Sequence, residues 1–236
     1  MTLDDLVSQL GAAYGAALRS VVLYGSAAGG EHTTKKPDQN VLVIVDQLDA
    51  AALRAASATA RAWADAGNPA PLTMTMDEWR GSADIFPMEY ADILERNRVL
   101  FGNPPFDGIT VDPRDLRLQV EQEAMAKLLR LRQGVLASGG DSNRQTELLV
   151  ASLGSVMVVF RAIERLHRAT PPKDNVTLSE SVARRAGFDA APFVRVVKQV
   201  RGEQKISGDE ADAVLAGYLA GMDRLVRYLD QYQHAD

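Results

Sequence analysis

The run Val41-Leu42-Val43-Ile44-Val45 constrains the fold more than any other segment. All five residues are apolar and four are β-branched. Branching at Cβ favours an extended backbone, and a strand with no polar face must be covered on both sides. The chain is therefore expected to build a sheet with other elements packed above and below it. Ser20–Tyr24 (Ser-Val-Val-Leu-Tyr) reads as a second short strand, stopped by Gly25. Leu72–Met76 reads as a third, with Thr73 and Thr75 alternating onto a polar face. Met88–Leu94 is a candidate fourth strand. Helical spacing places helices over Leu3–Ala17 and over Leu48–Ala66, the latter ended by Gly67-Asn68-Pro69.

Beyond residue 110 the pattern changes. Gly102–Pro113 holds three Pro and two Gly in twelve residues, which regular structure does not accommodate. Asp112 is placed to cap a helix with Pro113 at its first position. Apolar residues at 116, 120, 124, 128, 131 and 135 continue that helix over Arg114–Ala137, and Ser138-Gly139-Gly140 stops it. Further amphipathic helices are expected over Arg144–Arg168, Thr177–Ala186, Pro192–Gly202 and Ser207–Tyr232, joined by short loops. The expectation is an α+β chain: a mixed-sheet domain over 1–110, then an all-helical bundle over 111–236.

Composition narrows the chemistry. The 236 residues contain no Cys, which excludes disulfides, thiolate metal sites and a cysteine nucleophile. The three His, at 32, 167 and 234, are far apart. The net charge of −5 argues against nonspecific nucleic-acid binding. Carboxylates, hydroxyls or backbone amides must carry any reaction. Asp4 and Asp5 near the N-terminus leave no basic leader region, and no apolar run approaches the ~20 residues of a membrane span, Ser152–Phe160 being the longest. A cytoplasmic protein with no membrane partner is expected.

The informative constellation is Leu23-Tyr24-Gly25-Ser26-Ala27-Ala28-Gly29-Gly30, a polar loop, and Pro37-Asp38-Gln39-Asn40 leading into Val41–Val45. Gly25 lets backbone N–H groups approach a phosphate closely, and the Ser26 hydroxyl can donate to one. Residues 38 and 40 share a face of the incoming strand, where two carboxylates would hold divalent metal beside that phosphate.

This arrangement resembles the nucleotidyltransferase superfamily, whose simpler members include kanamycin- and streptomycin-modifying enzymes and the minimal nucleotidyltransferases of toxin–antitoxin pairs. The family pattern is strand, Gly-Ser, loop, Asp-x-Asp, strand, with a third carboxylate on a later strand. The segments Asp84-Ile85-Phe86-Pro87-Met88-Glu89-Tyr90-Ala91-Asp92-Ile93, Val99-Leu100-Phe101-Gly102 and Leu116–Glu123 are similar to a bacterial subgroup that adds an all-helical C-terminal domain. The resemblance thus covers most of the chain. It implies a nucleotide or small phosphorylated ligand held by Gly25, Ser26 and Asn40, with Asp38 as catalytic and metal-binding acid, and Mg²⁺ as cofactor if the protein is active.

Against that pattern, the second acid is Asn40, and Thr73 and Thr75 occupy the polar face of the strand expected to bear the third. Two divalent cations about 4 Å apart repel by roughly 4 kcal/mol in water and roughly 17 at an effective dielectric of ~20. One Asp and a neutral amide cannot offset that. The pattern therefore implies a degenerate metal site, with nucleotide or phosphorylated-ligand binding and weak or absent transfer. Two alternatives stand beside it. In one, Asp77, Glu89 or Asp92 completes the metal set and the protein moves a nucleoside monophosphate from an NTP to a hydroxyl acceptor. In the other, the chain is a non-catalytic oligomeric interaction module. The bland role for Asp77 is capping a helix that starts at Glu78; for Glu89 and Asp92 it is a surface or interdomain position.

Other features add less. Lys35-Lys36 and His32 fall in the polar loop. Glu121 and Glu123 could include a general base. Lys127–Arg132 reads as a basic helix face. An Arg-to-His spacing shared with helical ribonucleases occurs at Arg161…His167 and Arg227…His234, at the background rate for so Arg-rich a chain. Tyr228 and Tyr232 near the C-terminus permit a homodimer.

Overall fold

A computed structural model describes residues 1–29 and 39–232. Asp38, His32, Lys35, Lys36 and His234, all singled out above, lie outside the described residues. The chain divides into two compact units, Met1–Val111 and Asp112–Asp236.

In the first unit, α1 (Leu3–Tyr14) opens on a capping box between Thr2 and Asp5 and leads through a 3-10 turn (Gly15–Ala17) into β1 (Leu18–Tyr24). A single helical turn, α2 (Ser26–Gly29), follows Gly25. Then come β2 (Asn40–Val45), α3 (Ala50–Asp65), β3 (Leu72–Thr75), α4 (Met76–Gly81), α5 (Pro87–Glu95) and β4 (Asn97–Gly102). The strands lie in the order β3-β2-β1-β4. β1 runs antiparallel to both β2 and β4, while β2 and β3 are parallel. This is a mixed sheet with flanking helices, the nucleotidyltransferase fold.

The continuous apolar run of β2 is explained by cover on both faces. Val41, Val43 and Val45 pack with Leu6 and Leu10 of α1 and Ala56 and Trp63 of α3. Leu42 and Ile44 pack on the other face with Trp79, Tyr90 and Ile93. Trp79 and Tyr90 stack with ring centroids 4.0 Å apart. The Trp79 indole N–H donates to the Pro105 carbonyl at 2.6 Å, and the Tyr90 hydroxyl donates to the Trp79 carbonyl at 2.6 Å. The irregular segment after β4 is therefore fastened to this core, with Ile109 inside it.

Two expectations are corrected here. Met88–Leu94 is helix, not strand. Pro87 occupies its first turn, and the buried positions Pro87, Tyr90 and Ile93 share one helical side. The fourth strand is instead Asn97–Gly102, immediately after. Asp77 does not cap a helix starting at Glu78. The helix starts at Met76 and is capped by Thr75, which accepts from the Glu78 N–H while Glu78 accepts from the Thr75 N–H.

The second unit is a bundle of α6 (Pro113–Ser138), α7 (Ser142–Leu166), α8 (Asn175–Ala186), α9 (Ala191–Val200) and α10 (Gly208–Asp230). Asp112 caps α6 by accepting from the Arg114 N–H, and Gly139 ends it at a left-handed φ of 59°. By length and composition α7 could cross a membrane. Its Leu149, Val156, Val159, Phe160 and Ile163 are nevertheless fully buried, as in a core helix. Phe160 and Tyr218 both pack on Phe193, at centroid distances of 5.3 and 4.3 Å. Buried Glu164 accepts two bonds from the Arg185 guanidinium. Tyr228 and Tyr232 are half-buried and engaged within the unit: the Tyr228 hydroxyl lies 2.6 Å from His167 Nε2, and the Tyr232 hydroxyl donates to the Leu166 carbonyl.

Candidate functional site

The site residues gather at the sheet end where β1 stops. Register sets Tyr24 opposite Asn40 on one side and Asn97 on the other. Gly25 follows with φ 75°, a left-handed conformation that favours glycine. Its N–H donates to the Arg96 carbonyl at 3.0 Å, and its own carbonyl accepts from the Ala28 N–H at 3.1 Å. The turn is thereby tied to the junction between α5 and β4. Ser26 comes next, as the first residue of α2.

Asn40 and Asp92 converge on this turn. A Cβ placed on Gly25 would stand 3.4 Å from Asn40 Nδ2 and 3.6 Å from Asp92 Oδ2. Asn40 arrives there as the first residue of β2, on the face of Leu42 and Ile44. Asp92 arrives from α5, one turn before Arg96, whose Nη2 lies 2.5 Å from Asp92 Oδ1. The pair is largely shielded, with side-chain exposures of 12% for Arg96 and 23% for Asp92. Asn97 donates to the Ile93 and Leu94 carbonyls and so fixes the C-terminal end of α5. Burial, reinforced by the negative charges of Asp92 and Glu89, pushes the Tyr24 phenol above its ordinary range. Tyr24 is therefore a proton-bearing donor at neutral pH.

Of the candidates read from the sequence, Gly25, Ser26, Asn40, Asp92 and Glu89 are brought to this end of the sheet. Asp77 is not. β3 pairs Leu72 with Leu42 and Thr75 with Val45, so Asp77 follows the far end of β2 from Asn40. The polar face of β3 is also corrected. Thr73 and Thr75 pair with Val43 and Val45 and share their face, opposite to that of Asn40. Thr73 accordingly meets Tyr14 of α1. On the Asn40 face β3 offers Met74, which cannot replace a carboxylate.

Among the described residues, no three His, Asp or Glu cluster closely enough to hold a metal ion. The described donors beside Gly25 are the Asn40 amide and the Asp92 carboxylate, whose Oδ1 takes the Arg96 guanidinium. In the second unit, Glu121 is ion-paired with Arg117 and Glu123 with Lys127. Arg161 contacts Asn175 while His167 contacts Tyr228.

Arg96 and Tyr24 were not evident as site residues from sequence. The signal for Arg96 was present: Asp92 and Arg96 have the i, i+4 spacing of a helical ion pair. It became readable only once Met88–Leu94 was known to be helix.

No protein-family model matches this chain, and no curated protein matches it. Among solved structures, it is similar to spectinomycin adenyltransferase AAD(9) from Enterococcus faecialis, in a crystal structure with ATP and spectinomycin. That likeness covers 97% of this chain and 98% of the other, with a TM-score of 0.60 and 11% identity. It bears on the fold: both chains carry the nucleotidyltransferase architecture along nearly their whole length.

Proposed function

We propose that this protein binds a nucleotide with its phosphates against the Gly25 turn, and that its nucleotidyl-transfer activity is weak or absent. The observation that carries the reading is the pairing at that turn. Asn40 stands where the family pattern has an acid, and the described carboxylate that meets Gly25 beside it, Asp92, is held by Arg96. Gly25 is buried and its absent Cβ would lie in contact range of Asn40 and Asp92, so only a residue without a side chain lets a phosphate approach the backbone of this turn. The Asn40 amide supplies a neutral donor beside it. The similar adenyltransferase was crystallised with ATP, which makes a nucleoside triphosphate the first ligand to test.

A specific observation supports a second reading, an active transferase: Asp92 brings a carboxylate to Asn40 and Gly25 that the Asp-x-Asp pattern does not supply. The two are separated by calorimetric titration with each NTP, with and without Mg²⁺, together with a pyrophosphate-release assay. The binding reading expects NTP affinity without turnover, and a gain in Mg²⁺ dependence of at least about tenfold, or ~1.4 kcal/mol, in Asn40→Asp. Turnover in the unaltered chain rejects it for the transferase reading. No heat with any nucleotide rejects both and leaves an interaction module.

A further inference from the structure

The exposed side of α6 carries an apolar stripe. Leu118, Met125, Leu129 and Leu136 are 63, 42, 48 and 83% exposed along this 26-residue helix. At about 100° per residue, these positions fall within about 40° of arc. They therefore form a line, not a scatter of single surface residues. The stripe is turned away from the bundle core, which α6 meets through Leu116, Val120, Ala124, Leu128 and Leu131.

The order of the stripe is symmetric. Its intervals are seven, four and seven residues, so reversing the helix about residue 127 exchanges Leu118 with Leu136 and Met125 with Leu129. The flanks obey the same reversal. Glu121 and Arg132 lie on one flank of the stripe, and Gln122 and Gln133 on the other. A two-fold axis across residue 127 brings Glu121 of one copy to within about 2 Å of the height of Arg132 of the other, on the same flank. It matches Gln122 with Gln133 equally well. Arg132 already bonds Asp223 and Glu121 bonds Arg117. A guanidinium has donors for a second carboxylate, so the new contact would join these pairs without breaking them.

We infer that the stripe receives a second copy of this chain, α6 packing antiparallel on α6 about a two-fold axis. The interface is isologous: each apolar residue meets a different apolar residue, acid meets base and amide meets amide. This pairing assigns Leu129 and Met125 as its centre. It differs from a dimer through Tyr228 and Tyr232, which are engaged within their own unit.

The test uses the full chain in sedimentation velocity, over a range of concentrations. The expected species is twice 25.6 kDa, returning to 25.6 kDa in Leu129→Glu. Register is read separately, because the chain has no native Cys. Leu118→Cys and Leu136→Cys chains, mixed and oxidised, should form a disulfide with each other. Leu118→Cys alone should not, since its two copies stand about 27 Å apart along the axis. A monomer at every concentration, a dimer that survives Leu129→Glu, or a disulfide within Leu118→Cys alone each overturns the proposal.

Discussion

Asp92 of α5 and Arg96 at its C-terminal cap stand one turn apart, with Arg96 Nη2 2.5 Å from Asp92 Oδ1, while the Arg96 carbonyl takes the Gly25 N–H at 3.0 Å. One residue thus fixes both the backbone of the Gly25 turn and the orientation of the acid beside it. That coupling makes Asp92 the most informative position for substitution.

Asp92→Asn should lower unfolding free energy by about 1–3 kcal/mol, because a charge-assisted contact in a shielded site is replaced by a neutral one. A denaturant titration measures this. The same change should raise metal-free NTP affinity about fourfold, since a unit charge about 5 Å from a phosphate in a water-like dielectric is worth roughly 0.8 kcal/mol. Should Asp92 instead serve as a metal ligand, affinity in the presence of Mg²⁺ would fall. The sign of the Mg²⁺ effect therefore decides between the two functional readings.

Gly25→Ala should separate folding from binding. At φ 75° a side chain costs about 1–2 kcal/mol. The new methyl meets Asn40 and Asp92 only at 3.4 and 3.6 Å, ordinary contact distances, so no further clash adds to that. The methyl occupies the space proposed for a phosphate oxygen, however. Calorimetry should show NTP binding lost while the thermal transition drops only modestly.

The sheet was legible in the sequence where burial dictated it. Val41–Val45 and Ser20–Tyr24 have no polar alternation to mislead, and β1 and β2 lie as neighbours with Tyr24 opposite Asn40. The helical unit was legible because its caps are local: Asp112 with Pro113, and Gly139 after Ser138. What failed depended on tertiary register. Thr73 and Thr75 alternate as a strand should, but only pairing with β2 shows that they face α1 and not Asn40. Met88–Leu94 has too few residues for periodicity to tell helix from strand, and Pro87 was the cue that decided it. Misreading that segment hid the Asp92–Arg96 spacing, and with it the acid that reaches Gly25.

Gly102→Ala should be far more damaging than Gly25→Ala. Gly102 ends β4 at φ 76°, and a Cβ there would lie 1.9 Å from the Arg19 carbonyl oxygen of β1. Backbone cannot yield as a flexible side chain can. The left-handed strain of about 1–2 kcal/mol adds to an overpacking cost of about 1–3, giving about 2–5 kcal/mol in chemical denaturation. A loss no larger than that of Gly25→Ala would mean that the β1–β4 edge shifts freely to admit the methyl.

Acid stability should be governed by carboxylates at helix starts. Glu78 is held below its ordinary range by the Thr75 N–H and hydroxyl, and Glu210 by the Ser207 N–H, its hydroxyl and Arg195. At Asp174, burial pushes upward, but bonds from the Thr177 N–H, Arg201 and the Thr177 hydroxyl outweigh it and the carboxyl lies low. Each such group is more acidic folded than unfolded. Its contribution is complete above the unfolded value, about 4, and disappears as pH falls through the lower folded value. Unfolding free energy should therefore be insensitive to these groups from neutral pH down to about 5, then decline steeply below about 4. Asp174→Asn removes one titrating cap, so its curve should start lower at neutral pH and converge on that of the unaltered chain in acid. Parallel curves over the whole range would show that Asp174 titrates alike in the folded and unfolded chain.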